Sequence, residues 1–509
     1  FKPPGNDTKY WHEKKLLIFL QRSTVDLPRW LDTQFGRLHW EDIYLKVDIL
    51  VVADAWPAPW AGGWPVDSRR RSTILATASS VSDEQPERRR MPDAPTICLV
   101  SPGHFSSNPR LVKELTALHR ANFSVRTVTS AQVPWFAELD EQMDEPALAD
   151  GLRLSRLGRL PRILLRLRQK SYRAWVALLF RLGRRPRAWH LAEALNPDCR
   201  RLRNTLRRQN ADASAPFTLA IAHNLAALPA AATVARETGA GFAFDAEDSH
   251  VDELDESQSF DRQLRQALES AYLPDASYVS AASPGIANAL TERYGLQPTV
   301  LLNVFSPNRE LPQIAPPLGP GDPIRFFWFS QTIGPDRGLD GFLALAPRLQ
   351  AALDRPLELT LVGRPVPGFD ATLQREAQAC GVELALMPLL APEALFELAA
   401  GHHCGLALEH RQPVNKDICL ANKIFTYLAA GLPTLLTPTA AHLALAPELT
   451  EAVHLLDDPP VSEPVSRWLE EVVCTGRGHA AALRHFSDRF NWDLESKVFL
   501  KRVKEALAS

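Results

Sequence analysis

Cysteine is scarce, with six in 509 residues. Cys98, Cys199, Cys380, Cys404, Cys419 and Cys474 are scattered, with no CxxC and no Cys/His ligand spacing. That excludes a disulfide scaffold and a structural zinc site, and it makes a reducing compartment the default. Long apolar runs are also missing. The longest pieces, LLIFL (16–20) and AWVALLF (174–180), fall far short of the ~20 residues that a spanning helix needs. No basic n-region leads into an apolar core, so no secretory signal is expected. Charge of one sign is missing as well, since the net charge is −2. With 45% hydrophobic and 23% charged residues, the chain reads as a globular protein of two or three domains rather than a disordered or coiled-coil one.

The small net charge conceals a local excess. Residues 151–210 hold 16 Arg and one Lys against one Glu and one Asp. Residues 1–90 differ again. They carry six of the 12 tryptophans and no Met or Cys, and they end in the polar stretch STILATASSVSDEQPERRRMPD (72–93). Residues 1–92 read as an extension and linker, either a small extra module or upstream sequence; VDILVVAD (47–54) is a strand candidate within it.

From Thr96 onward, short apolar runs with β-branched residues alternate with helical periodicity. Strands are expected at Thr96–Ser101, Ser124–Thr129, Phe217–His223, Gly241–Asp245, Ser277–Ala281 and Thr299–Leu302, with helices between them. The stretch SPNRELPQIAPPLGPGD (306–322) holds five prolines and reads as a linker. A second alternation follows, with strands at Ile324–Phe329, Leu357–Val362, Gly405–Leu408 and Thr434–Thr437. Strands spaced by helices mean βαβ units and parallel sheets. The expected fold is α/β, with two Rossmann-like doubly wound domains facing a cleft, where ligands of such sheets bind. The boundaries read as 93–305 for the first domain with the Arg-rich insertion 151–210, 306–323 for the linker, 324–485 for the second domain, and 486–509 for a tail helix.

Two common nucleotide motifs are absent. The first loops, SPGHFSSNPR and SQTIGPDRG, lack GxGxxG, and GxxxxGK[ST] does not occur. Neither a dinucleotide site nor a Walker-type phosphate loop is expected. Two features stand at strand ends instead. FDAEDSHVDE (244–253) gathers Asp245, Glu247, Asp248, His250 and Glu253, suited to holding a hydroxyl or sugar, or equally a helix-start acidic run. Arg337 beside Gly338, and Lys423 in the first turn of a helix, suit a diphosphate.

In order along the chain, ASYVSAASPGIANALTERYG (276–295), LLNVFSP (301–307), FFWFSQTIGPDRGLDGF (326–342), LTLVG (359–363) and NKIFTYLAAGLPTLLT (422–437) resemble the glycosyltransferase family 4 type of GT-B fold, from about Thr96 to the C-terminus without the Arg-rich stretch. The resemblance implies transfer of a sugar from a nucleotide-diphosphate donor to a glycan or lipid-linked acceptor hydroxyl. Retention is implied, as are no DxD-bound metal and no cofactor beyond the nucleotide-sugar co-substrate, with a role in bacterial envelope or exopolysaccharide synthesis.

By the same resemblance, Arg337 takes the place of a phosphate-binding basic residue and Lys423 is a second, while Gly334, Gly363, Glu409 and Asn422 line the donor. Thr426 stands where the family often has a ribose-gripping Glu, and Ile418 stands where that Glu's partner lies; Glu409, Asn415 and Asp417 are substitutes. Asp248 and His250 face the donor sugar as catalytic candidates. From their places at strand ends and in the first loop, Gly103, Asn108, Arg110, His223 and Asp245 are acceptor-side candidates, although NPR (108–110) is equally a helix start and a His at a strand end is more often structural. The Arg-rich stretch, where Arg alternates with Leu, Ile, Trp and Phe, suits an anionic membrane surface rather than nucleic acid. A cytoplasmic protein, peripheral on the inner face of the cell membrane, is the resulting expectation. A silent relative that only binds, or a sugar-nucleotide epimerase, are the rival readings.

Overall fold

In the computed structural model, residues 89–509 form one compact unit. The structure describes residues 95–508 apart from 106, 132–151, 156, 212–215 and 308–312. The extension 1–92, its strand candidate 47–54 and part of the linker lie outside the described residues.

The first domain runs β1 (Thr96–Val100), α1 (Pro109–Arg120), β2 (Ser124–Ala131), β3 (Leu152–Ser155), α2 (Arg159–Arg181), α3 (Ala188–Leu195), α4 (Cys199–Ala211), β4 (Phe217–His223), α5 (Leu228–Thr238), β5 (Gly241–Ala246), α6 (Ser259–Tyr272), β6 (Tyr278–Ala281), α7 (Pro284–Tyr294) and β7 (Thr299–Val300). The second runs β8 (Ile324–Ile333), α8 (Leu339–Leu353), β9 (Leu357–Pro365), α9 (Phe369–Ala379), β10 (Val382–Met387), α10 (Pro392–Ala400), β11 (Cys404–Ala407), α11 (Val414–Ile418), α12 (Asn422–Ala429), β12 (Thr434–Leu436), α13 (Ala440–Leu445), β13 (Val453–Leu455), α14 (Ser462–Trp468), α15 (Arg477–Asp488) and α16 (Trp492–Ala508).

Both sheets are parallel, in the orders β3-β2-β1-β4-β5-β6-β7 and β10-β9-β8-β11-β12-β13. Each order reverses beside its first strand, β1 or β8, so each sheet has a switch point at that strand's carboxyl end. The central strands are buried along their length, as TICLV and AIAH require, because helices cover both faces.

The domains share a core. One apolar cluster runs from Leu115 and Ile221 through Trp492 and Phe499 to Phe425 and Tyr427. Helix α16 makes the join: Arg502 Nε donates to Thr299 Oγ1 at 2.6 Å, and Glu495 Oε2 accepts from the Leu302 amide at 2.9 Å. The proline-rich connection lies along the second domain, its Ala315 and Leu318 amides donating to Ala400 and Cys474 carbonyls.

Candidate active site

The carboxyl end of the second sheet gathers the basic residues. The chain leaves β8 through Gly334, turns through Pro335–Arg337, and enters α8 after Gly338 at φ +70°. A Cβ on Gly338 would stand 3.0 Å from Leu408 Cβ, at the exit of β11, so glycine lets the backbone that follows Arg337 pass close to that exit. Arg337 is about one-quarter exposed, its Nε buried without a hydrogen-bond partner and 3.7 Å from Asp336 Oδ1.

Glu409 follows β11. Its amide donates to Thr437 Oγ1 at 2.8 Å, and that hydroxyl donates back to the Glu409 carbonyl, pinning the exits of β11 and β12 together. Lys423, in the first turn of α12, places Nζ 2.6 Å from Glu409 Oε1 and 5.4 Å from the Trp328 ring centre. Burial works against the Glu409 carboxylate, but Lys423, then Arg337 and His442, hold it below its ordinary range. His442 is buried, with Nδ1 2.8 Å from the Thr437 carbonyl, and burial lowers its pKa. Lys423 therefore pairs with this carboxylate at a helix N-terminus while the Arg337 charge acts on the same group, an arrangement suited to a polyanion.

The remaining donor-side expectations land differently. Thr426 is 2% exposed and its hydroxyl donates to the Asn422 carbonyl one turn back, so it cannot grip a ribose. Asn422 turns toward the first domain, accepting from Asn303 Nδ2 at 3.1 Å. Gly363 is explained by packing: a Cβ there would come within 2.3 Å of the Ser330 carbonyl oxygen.

In the first domain, Arg110, Glu114, His223 and Asp245 are all buried. Arg110 grips Asp245 through Nη2 to Oδ1 (2.7 Å) and Nε to Oδ2 (2.5 Å), and it donates to the Leu301 carbonyl. Ser280 Oγ adds a 2.6 Å bond to Asp245. His223 lies 3.3 Å from Glu114 and 3.5 Å from both Asp245 and Glu247. Arg110, His223 and Asp245 therefore form an ionic knot under the strand ends instead of lining an acceptor surface; each is an internal counter-ion of another. Glu114, His223 and Asp245 bring ligand atoms within 4.8 Å of one another, but Arg110 already takes both Asp245 oxygens, so the group does not suit a metal ion. Asn108 caps α1, accepting from the Arg110 and Leu111 amides, while its Nδ2 donates to Glu247. Gly103 sits in the same loop, its amide donating to Ser101 Oγ.

His250 is buried at 3% exposure, Nε2 accepting from the Leu225 amide and Nδ1 3.6 Å from Glu253. Both ring nitrogens are thus engaged within the first domain, where the residue positions a loop. Asp248 is half-buried and accepts from Asn415 Nδ2 of the second domain at 2.9 Å; burial pushes its carboxyl above the ordinary value.

Asn415 is the residue that sequence reasoning underrated. Besides Asp248, its Oδ1 accepts from the Ser249 amide and its own amide donates to the Asp252 carbonyl. Ser283 Oγ donates to the Ile418 carbonyl at 2.7 Å alongside. Glu114 was missed too, although a carboxylate on the same helical face as Leu111 and Leu118 is a signal.

The interdomain contact at α11 is tight enough to test. A Cβ on Gly285 would stand 2.5 Å from the Ile418 carbonyl oxygen and 2.8 Å from Ile418 Cβ. Gly285→Val should therefore push α11 off α7 and open the domains, read as a larger radius of gyration by small-angle scattering and as weaker donor binding. An unchanged radius and affinity would contradict the contact.

By sequence, the chain matches no family model and no curated protein. By structure, it is similar to HepE from Anabaena, solved in complex with UDP, with a TM-score of 0.56 at 14% identity over 80% of this chain and 99% of that one. It is similar to sucrose-phosphate synthase from Thermosynechococcus elongatus, at 0.53, 14% identity, and 81% and 99% coverage. A UDP-forming trehalose-phosphate synthase from Burkholderia xenovorans scores 0.50 at 12% identity, with 81% and 99% coverage. The chain has the fold these proteins share, the two-domain GT-B fold of glycosyltransferases.

Proposed function

We propose that the protein is a glycosyltransferase that moves a sugar from a nucleoside-diphosphate sugar to an acceptor hydroxyl, with retention and without a metal. The observation that carries this reading is the Lys423–Glu409 pair at the carboxyl end of the second sheet, with Arg337 on the adjoining β8 exit acting on the same carboxylate. The UDP in the HepE structure supports a nucleotide at this kind of fold. The donor's diphosphate would lie across Arg337 and the first turn of α12, displacing Glu409 from Lys423. Breaking the anomeric C–O bond leaves the charge on that diphosphate, where fixed cations stabilise it without reorganisation. The acceptor oxygen bonds to the anomeric carbon from the same face, and its proton passes to the departing phosphate oxygen. Glu409 is a positioning residue that holds Lys423 in place until the donor arrives. The acceptor is a glycan or lipid-linked hydroxyl presented from the first domain, and the product belongs to envelope or exopolysaccharide glycan.

The test is a panel of UDP-, GDP- and ADP-sugars incubated with the protein in excess EDTA. Release of nucleoside diphosphate with one of them, undiminished by the chelator, is expected. Loss of turnover with EDTA would refute metal independence. The inward-turned Thr426 hydroxyl favours one rival, a silent relative that binds the donor without turnover; binding with no release across the whole panel would establish that rival.

A further inference from the structure

We propose that α2 is an interfacial anchor that lays the first domain on an anionic lipid surface. The helix runs 23 residues, Arg159–Arg181, about 35 Å at 1.5 Å per residue. Leu160, Ile163, Leu164, Leu167, Trp175 and Leu178 are each between 46% and 67% exposed. At 100° per residue they fall within about 60° either side of one line down the helix. Leu182, just past its end, extends the line at 60% exposure.

The rest of the helix is fastened. Val176 is fully buried, Gln169 Nε2 donates to the Ala194 and Leu195 carbonyls, Arg168 pairs with Glu193, and Arg173 pairs with Asp261. The apolar stripe is therefore held outward, not left exposed by a loose helix. A stripe of this kind marks a surface that something covers.

Charge decides what covers it. Residues 151–187 contain eleven Arg, one Lys and no acidic residue. Lys170, Arg181, Arg184 and Arg185 are all exposed, and Lys170 and Arg181 flank the stripe. A second copy of the helix would bring like charges together. A nucleic acid would leave the leucines in water. An anionic lipid interface accepts both, with the leucines in the acyl boundary and the basic groups among phosphates. No helix among the described residues is long and apolar enough to cross a membrane, so the contact is parallel to the surface. The inference stands on this helix and does not depend on the transferase reading.

The test is sedimentation of the full chain with vesicles of phosphatidylcholine alone, or with about one-third phosphatidylglycerol. Binding to the anionic vesicles is expected, falling at least about tenfold when salt rises to about 0.5 M. Lys170→Ala/Arg181→Ala should weaken it by about fivefold per charge. Leu164→Gln/Leu167→Gln should weaken it by at least about tenfold through lost burial, while thermal melting and donor binding stay as in the parent because all four side chains face solvent. No sedimentation at low salt, or equal binding to neutral vesicles, would overturn the proposal. So would a dimer in solution that Leu164→Gln/Leu167→Gln dissolves, or retention on RNA, if vesicles fail to bind.

Discussion

Arg337→Ala should lower donor turnover by about a hundred- to a thousandfold, the scale seen when one fixed donor to a developing oxyanion is removed. The expectation rests on placement. Arg337 stands at the exit of β8 beside Gly338, whose backbone passes close to Leu408, and its charge acts on the same carboxylate as that of Lys423. Arg337→Lys should recover only part of the loss, because an ammonium cannot match the bidentate geometry of a guanidinium on phosphate. Lys423→Met should be at least as damaging as Arg337→Ala. It removes one cation and leaves Glu409, now without its 2.6 Å partner, repelling the diphosphate. Lys423→Met/Glu409→Gln removes that repulsion and should bind donor more tightly than Lys423→Met alone. Steady-state kinetics on the four proteins checks the ranking, and an Arg337→Ala protein with parental kcat would contradict it.

The second large effect is on stability. Asp245→Ala should cost about 3–5 kcal/mol, because it strands the buried Arg110 guanidinium. For a unit of this size the loss reads as a drop of roughly 3–6 °C in melting temperature. Arg110→Met/Asp245→Asn, which removes both charges, should be milder than Asp245→Ala, since it leaves neither partner bare.

The same knot shapes the pH profile. Burial opposes the Asp245 carboxylate, but Arg110 and then His223 hold its pKa well below the usual range. Its contribution is present above the unfolded value near ~3.9 and is lost as pH falls below that. Burial opposes charge on His223 too, yet Glu114 and then Asp245 raise its pKa well above 6.5. That contribution is complete below about pH 6.5 and is lost as pH rises through the raised value. Asp245 and His223 together therefore contribute most between about pH 4 and 6.5, and Asp245→Ala should flatten the acid limb. Thermal melts across pH check this; an acid limb that Asp245→Ala leaves unchanged would contradict it.

The architecture is legible in the sequence because its signals are local. TICLV, FTLAIAH and IRFFWF are short apolar runs closed by Gly, Pro or a polar loop, and αL glycines such as Gly295 end the helices between them. The GT-B arrangement follows from two such series and a proline-rich join. LRLS (152–155), a four-residue edge strand, is hidden among arginines. Site roles are less legible because a polar residue at a strand end can point into the cleft or under the sheet, and only its distant partners decide. Arg110 is drawn inward by Asp245, 135 residues away, and His250 by the Leu225 amide. Thr426 is turned back by the helix it sits on. Asn415 reaches across the cleft to Asp248, a pairing with no trace in local pattern. Arg337 and Lys423 stay readable because each follows a strand exit whose glycine or helix start is written beside it.

The most direct measurement is a crystal structure with a nucleoside diphosphate bound. The diphosphate oxygens should lie about 3 Å from the Arg337 guanidinium and the Lys423 ammonium, with Glu409 parted from Lys423. A nucleotide bound elsewhere, with the Lys423–Glu409 pair intact, would contradict the account.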